Sequence, residues 1–500
     1  MRLRVSTQSF RAGCTVLLAV AALAPFVGGP AARAQGDLGQ RIDQINSAVE
    51  RVQAQLEQSQ RELRELQAEL ADLRRMAGVP EGTSGKPAPT GADQLAGAVE
   101  EIREKQGVHD AEIATLDQAK VGSESKYPIT VSGLILMNGF VNTHTVDWAA
   151  TPSVAYPGAG NTGATMRQTI VGLDARGPHL FGALSHADFR MDFDGTGQAA
   201  GAGYAVDLVR LRTAHAELDW PQTRAYFAYD RPILNPESPD SLTAVAQPAL
   251  AWSGNLWTWN PQLGVSHNFS SSFAAQTSLQ LALVDVGDAP ATYFAQSGPA
   301  AQPPSTAELS RWPGAETRFA LLDARRENGA RVGVSAFFAP HHTPDGGAFD
   351  SWAGAMDFHL PFSQYFQLSG NVYRGRALGG LGGGLFKDYV YTTSGYESYY
   401  HPLADEGGWA QWKQRVNELL EFNEAFGMDD APAHQLLPYA AQPSPSYYTL
   451  ARNRTFTGNV IYSPSAYLLF SLEYRRILSS FVNAPSDSGD VIGLAAGYKF

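Results

Sequence analysis

One cysteine, Cys14, occurs in 500 residues. An intrachain disulfide scaffold is thereby excluded, and cysteine chemistry goes too if Cys14 is removed with a signal peptide. Charge is scarce as well, at 17% of residues, against about 25% in an ordinary soluble protein. Long apolar runs are missing: the longest, Cys14 to Val27, holds about 14 residues where a spanning helix needs ~20. Cations are the minority, with 37 Lys and Arg against 49 Asp and Glu and a net charge of -12, which argues against a nucleic-acid partner. What is abundant is glycine, at 49 residues, and aromatics, at 11%. With a mean hydropathy of -0.21, two classes remain. One is a transmembrane β-barrel, whose apolar band is diluted by alternation; the other is a large secreted β-protein.

Residues 1–34 read as a secretory signal peptide. Arg2, Arg4 and Arg11 precede the apolar run, and Ala32-Arg33-Ala34 offers a small-x-small cleavage site. Its removal takes four arginines, no acid and Cys14, and so deepens the net charge from -12 to -16. From residue 35 to 77 apolar residues recur at alternating steps of four and three. The seam is Leu38, Ile42, Ile45, Val49, Val52, Leu56, Leu63, Leu66, Leu70 and Leu73, interrupted by Ser59. Such a seam predicts an α-helical coiled coil, with mixed branching at a and d that allows a trimer; an amphipathic helix packed on its own protein is the other reading. A Pro/Gly-rich linker follows at 78–92. A second, shorter coiled-coil helix is expected over 93–125, from Leu95, Val99, Ile102, Ile113 and Leu116 around a polar layer of Gln106 and His109.

From residue 126 to 500 the period is two. In 181–193, Phe181, Ala183, Ala187, Phe189, Met191 and Phe193 take one face, and His186, Asp188, Arg190 and Asp192 the other. Similar dyads recur to the end of the chain, at 129–141, 165–176, 206–219, 223–230, 262–269, 273–286, 317–325, 330–339, 351–360, 365–377, 449–462, 466–478 and 489–500. Tight connections (GPHL, WPQT, SSS, REN, LPFSQ, SPSA) alternate with long ones (231–260, 287–316, 378–448). Short turns on one rim and long loops on the other describe an outer-membrane barrel. Within 378–448, GGWAQWKQRVNELLEFNEAFG is read as a hairpin in preference to a helix, which brings the expected count to sixteen antiparallel strands. The final strand ends at Phe500 and resembles the signal read by the outer-membrane assembly machinery.

Taken together, the signal peptide, the coiled coil, ITVSGLILMNGF, RALGGLGGGLFKDY, GGWAQWKQRVNELLEFNEAFG and RNRTFTGNVIYSPSAYLLFSLEYRR resemble the trimeric DcaP-like outer-membrane porins. The resemblance implies a homotrimer of sixteen-stranded barrels, set in outer-membrane lipid and passing small, often anionic, solutes. A periplasmic stalk touching the cell wall would go with it. An anchor for a periplasmic coiled coil is the alternative function. No enzyme is expected: there is no G-x-S-x-G elbow, and His341-His342 lack metal spacing. The glycine block lacks the context of a phosphate loop, so neither cofactor nor metal is expected.

For the pore, phase assigns Arg176, Arg190, Arg224, Arg331 and Arg475 to the lumen, with Asp174, Asp188, Asp192, Asp357, Glu421 and Glu473. VDLVRLRTAHAELD resists one phase, and a β-bulge or a subunit contact would resolve it. Arg210 and Arg212 are candidates for an anion-attracting ladder, or else for a structural ion pair. Loop 231–260 has an equivalent in the resembling porins that folds inward, which would put Glu237 and Asp240 at a constriction; an exposed external loop is the other reading.

Overall fold

The structure, a computed structural model, describes residues 128–196, 207–269, 275–289, 304–323, 329–394, 397–439 and 444–500. The signal segment, linker and both expected helices, with the seam from Ile42 to Leu73, lie outside the described residues.

Sixteen antiparallel strands form one closed sheet. They are β1 (Ile129–Asn142), β2 (Asn161–Thr165 with Ile170–Leu180), β3 (Ala183–Thr196), β4 (Asp207–Asp219), β5 (Thr223–Asp230), β6 (Asn260–Phe269), β7 (Ala275–Val284) and β8 (Gly314–Asp323). There follow β9 (Arg331–His342), β10 (Ala348–Pro361), β11 (Phe366–Arg376), β12 (Ala404–Arg415), β13 (Leu420–Asp430), β14 (Leu450–Tyr462), β15 (Leu468–Phe481) and β16 (Asp487–Lys499). Each pairs with the next, and β1 pairs with β16 from Leu134↔Lys499 to Asn142↔Val491. Reciprocal bonds between the backbones of Gly133 and Phe500, at 2.9 and 3.1 Å, finish the seam. Closure leaves no strand edge, the condition for crossing hydrocarbon with strands.

Alternation explains the low charge. In β16, Ile492, Leu494, Ala496 and Tyr498 point out while Val491, Gly493, Ala495 and Gly497 point in. Leu494 keeps 57% of its surface exposed, and Phe456, Leu472 and Val372 are likewise bare on the outside. A contiguous apolar belt of this kind suits lipid and not water. Trp412, Tyr462 and Tyr498 edge it at the rim that carries Phe500, as aromatic girdles do.

The expected hairpin within 378–448 is present as β12 and β13, because alternating Phe422, Phe426 and Asn423, Ala425 need an outer and an inner face. Other connections differ from expectation. GPHL is not a turn: β2 runs through it to Leu180, with an irregular register between Arg176 and His179. The reversal falls at Phe181 and Gly182, at φ 52° and 80°, the positive pair a two-residue hairpin favours. Phe181 is thus a turn residue and not part of a strand face. Connection 287–316 carries a short helix, Thr306–Ser310, capped by Ser305 and Glu308. A small hairpin outside the barrel, Tyr389–Ser394 with Glu397–Pro402, occupies part of 378–448.

Candidate functional site

The 231–259 segment lies inside the barrel, fixed by the inward polar side chains of many strands. From β1 and the break in β2, Asn138 Nδ2 donates to Leu242 O (2.7 Å) and Gln168 Nε2 to Thr243 O (3.0 Å). From β11, Asn371 Nδ2 donates to Leu234 O (2.7 Å). From β14, Asn453 Nδ2 reaches Trp252 O (3.0 Å) and Asn459 Nδ2 reaches Asp240 O (2.8 Å). Gly254 (φ 90°) passes so close to the wall that a Cβ there would lie 2.1 Å from Gly408 O. Polar groups satisfied in this way hold a loop whose backbone would otherwise be buried without partners.

Apolar packing completes the attachment. Leu234 and Leu256 of the segment join Val284, Phe337, Ala339, Ala353, Tyr373, Leu378 and Leu381 in one core. Thus the β7–β11 wall is sealed by 231–259 and by the glycine-rich 377–388 segment, whose Leu381 O accepts Trp257 N (3.1 Å). Lys387, wholly buried, lies over the Tyr447 ring at 4.7 Å. Burial pushes its ammonium down to about 7, against the pull of Asp429 and Asp405.

These attachments leave charged space along β2–β12. One cavity of about 870 Å³ is lined by Arg176, His186, Asp188, His215, Glu217, Arg224, Asp230 and Arg231. A second, of about 600 Å³, adds Glu237, Arg318 and Arg331. A third, of about 950 Å³, lies beside Glu237, Asp240, His359, Lys413 and Arg415.

Burial sorts the residues expected to attract solute. Arg190 binds Asp174 (2.7 Å), Asp188 contacts His215 (2.6 Å) and Arg224 binds Asp219 (2.7 Å), all partly open. Glu237 pairs with Arg331 and with His359 Nδ1 (3.1 Å), and Asp240 with Lys413 (2.9 Å). Asp192, Glu473 and Arg475 face inward but are covered, at 0%, 2% and 6% exposed. They are corrected from solute-attracting to loop-holding residues. Glu473 accepts Arg475 Nη2 (2.6 Å) and Ser241 Oγ (2.5 Å), and Arg475 Nη1 donates to Pro152 O (3.0 Å).

Of the two readings of Arg210 and Arg212, the ladder gives way to the structural ion pair, which acts as a clamp. Both guanidiniums bind Asp192, at 2.7 and 2.9 Å, and both donate onward to 231–259, at Ala246 O (2.7 Å) and Val245 O (2.8 Å). Each also lies 5.1 Å from the Trp259 ring. A bulge makes this possible: Arg190 pairs with Thr213 and Met191 with Leu211, so Arg212 is the extra residue. The strand changes phase there, and His215, Glu217 and Asp219 face inward as well as Arg210 and Arg212.

Sequence reasoning passed over Lys413, Arg318 and the asparagines Asn138, Asn371, Asn453 and Asn459. Asn138, Asn371 and Asn459 had a signal, since each sits at an inward phase between outward apolar residues; Asn453, between Arg452 and Arg454, did not.

No family model matches the sequence, and no curated protein does. Among solved structures, the chain is similar to the outer membrane channel DcaP of Acinetobacter baumannii, at 14% identity and a TM-score of 0.57, over 76% of this chain and 100% of that one. An anion-selective porin from Comamonas acidovorans matches at 11% identity and a TM-score of 0.45, over 75% and 100%. OprB of Pseudomonas putida matches at 10% and 0.42, over 74% and 94%. The likeness to DcaP is one of fold: this chain forms a porin-like barrel.

Proposed function

We propose that the chain is an outer-membrane porin, a passive diffusion channel for small hydrophilic solutes that favours anions. The observation that carries the reading is the charged space between 231–259 and the β2–β9 wall. Within it Arg176 and Arg231 form no ion pair among the described residues; Arg231 is held by Ser238 Oγ and Pro236 O (3.4 Å). Flux requires weak binding in a local field, to which two guanidiniums outside any ion pair contribute beside Asp188, Glu217, Asp219 and Asp230 of the same cavity. A homotrimer with the coiled coil in the periplasm goes with this reading. The outward positions of β2–β5 offer Ala175, Ala187, Ala214, Ala216 and Ala225 for close approach of a second copy.

Planar-bilayer recording of purified protein under a salt gradient tests the proposal. Step conductance with an anion-selective reversal potential is expected, and Arg176→Ala with Arg231→Ala is expected to move that potential toward cations. Cation selectivity in the wild type would reject the anion preference. No step conductance would reject the channel and favour a barrel that anchors a periplasmic stalk.

A further inference from the structure

Charge on the outer wall is concentrated on one side of the barrel. From β1 to β7, Asp207 at the end of β4 is the one Arg, Lys, Asp or Glu at an outward position among the described residues. On β11, β14 and β15 five guanidiniums face outward near the rim remote from Phe500: Arg374 and Arg376, Arg452 and Arg454, and Arg476. Their neighbours Tyr373, Asn453, Thr455 and Arg475 are buried inside, which fixes the phase. Val372, Phe456 and Leu472 lie on the same outer face, nearer the middle of the apolar belt. A charged side chain at mid-membrane costs about 2–4 kcal/mol and nearly nothing at the interface, so this patch belongs at headgroup level.

Two of the five are neutralised. Arg452 Nε donates to Asp430 (2.6 Å), and Arg476 binds Asp490 (3.1 Å). Arg374, 80% exposed, meets Glu406 in a looser pair at 3.9 Å. The other two have no acidic partner among the described residues. Arg376 forms no hydrogen bond or ion pair among the described residues, and Asp350, outward on β10, pairs with neither. The Nε–H of Arg454 is buried without any acceptor. Lipid tails supply no acceptor, whereas a phosphate presents several and matches the guanidinium fork.

We propose that this patch binds the phosphates of an anionic glycolipid headgroup in the outer leaflet, with Arg454 at one end and Arg374 and Arg376 at the other. Three interstrand steps separate β11 from β14, about 14 Å, a span that suits a headgroup bearing two phosphates. The inference rests on the outer-membrane reading of the barrel and not on its selectivity.

The test is titration of the purified full chain in detergent with bisphosphorylated lipid A, read by native mass spectrometry. Retained lipid is expected on the wild type. Binding should be roughly a hundredfold weaker, two lost charge-assisted contacts of about tenfold each, in Arg376→Ala with Arg454→Ala, and weaker too for the monophosphorylated lipid. Excess inorganic phosphate should leave the complex intact; displacement by it would reassign the site to free phosphate and overturn the proposal. Equal binding by the variant, or by lipid A stripped of phosphate, would overturn it as well. Loss of the oligomer in the variant would mean that the patch faces a neighbouring copy, again against the proposal. Conductance of the same variant is expected to be unchanged, so a silent wild-type channel would count against the porin reading alone.

Discussion

Replacing Asp192 by Asn tests the clamp on 231–259 with little change of shape. The carboxylate is wholly buried and accepts Arg210 Nε (3.1 Å), Arg210 Nη2 (2.7 Å) and Arg212 Nη1 (2.9 Å). Asparagine removes the charge and turns an NH2 toward guanidinium donors. Breaking a buried ion pair by removing one partner costs about 3–5 kcal/mol. The lower end applies here, because the Arg210 side chain keeps 27% of its exposure. About 3 kcal/mol is roughly a 150-fold shift in an equilibrium. The shift falls on the segment that the two guanidiniums hold at Val245 and Ala246, and it releases two cations toward the lumen. Bilayer recordings of Asp192→Asn are therefore expected to show noisier, larger steps and a stronger anion preference. Hydrogen exchange over 243–248 is expected to accelerate by two orders of magnitude. Wild-type exchange together with wild-type selectivity would refute the clamp.

Three further predictions follow from the same geometry. Gly254→Val sets a Cβ against Gly408 O and Met428 O at a positive φ, with overpacking and backbone strain each costing about 1–3 kcal/mol; it should free 250–257 from the wall and raise conductance, while the heat-modifiable gel shift of the closed barrel persists. Lys387→Met removes a buried ammonium that donates to Leu385 O (3.4 Å) and Tyr447 O (3.3 Å), and leaving those carbonyls without a donor costs about 1–3 kcal/mol, expected to appear as faster exchange over 377–388. Asp147 accepts Ser153 N (2.8 Å) and Val154 N (3.0 Å), yet burial pushes its carboxyl up to about 6. A carboxyl whose folded value exceeds its unfolded one of about 3.9 binds its proton more readily when folded, so stability falls as pH rises through 4–6. Exchange protection over 147–156, corrected for intrinsic rates, should be greater at pH 5 than at pH 7, and Asp147→Asn should abolish the difference.

Period-two patterning made the wall legible. Phe456, Val460 and Tyr462 alternate with Thr455, Thr457 and Asn459, and no other arrangement gives both sets a suitable environment. The phase conflict in β4 was legible too, because Arg210 and Glu217 cannot both face inward without an extra residue; the bulge at Arg212 supplies it. What filled the lumen was not legible. Phe337, Ala339 and Tyr373 are apolar or aromatic residues at inward phases, which alternation treats as exceptions, and only the folding of Leu234, Leu256 and Leu381 against them gives those positions a reason. Pairing was also hidden. Asp192 was assigned inward and Arg210 and Arg212 were candidates for the lumen, but phase contains nothing about a carbonyl 36 residues away that turns a free guanidinium into a tether.

That distinction decides how selectivity should be read from such a lumen. A paired charge presents a dipole, whose field falls faster than that of a single charge, and a covered pair presents almost nothing to a passing ion. An unpaired guanidinium acts as a point charge over about 8 Å at physiological salt. Among the lumen arginines, Arg475 is covered and Arg210, Arg212, Arg190 and Arg224 are paired with Asp or Glu. Arg176 and Arg231 are left to set the local potential in the 870 Å³ cavity, where His215, bridging Asp188 and Asp230 at 2.6 and 3.1 Å, offsets part of the acidic charge. Raising salt should therefore erode the anion preference of the wild type, and should erode it less in Asp192→Asn, whose freed cations lie deeper beneath the loop. Equal erosion in the two would place the selective charges at the exposed mouth and not inside the barrel.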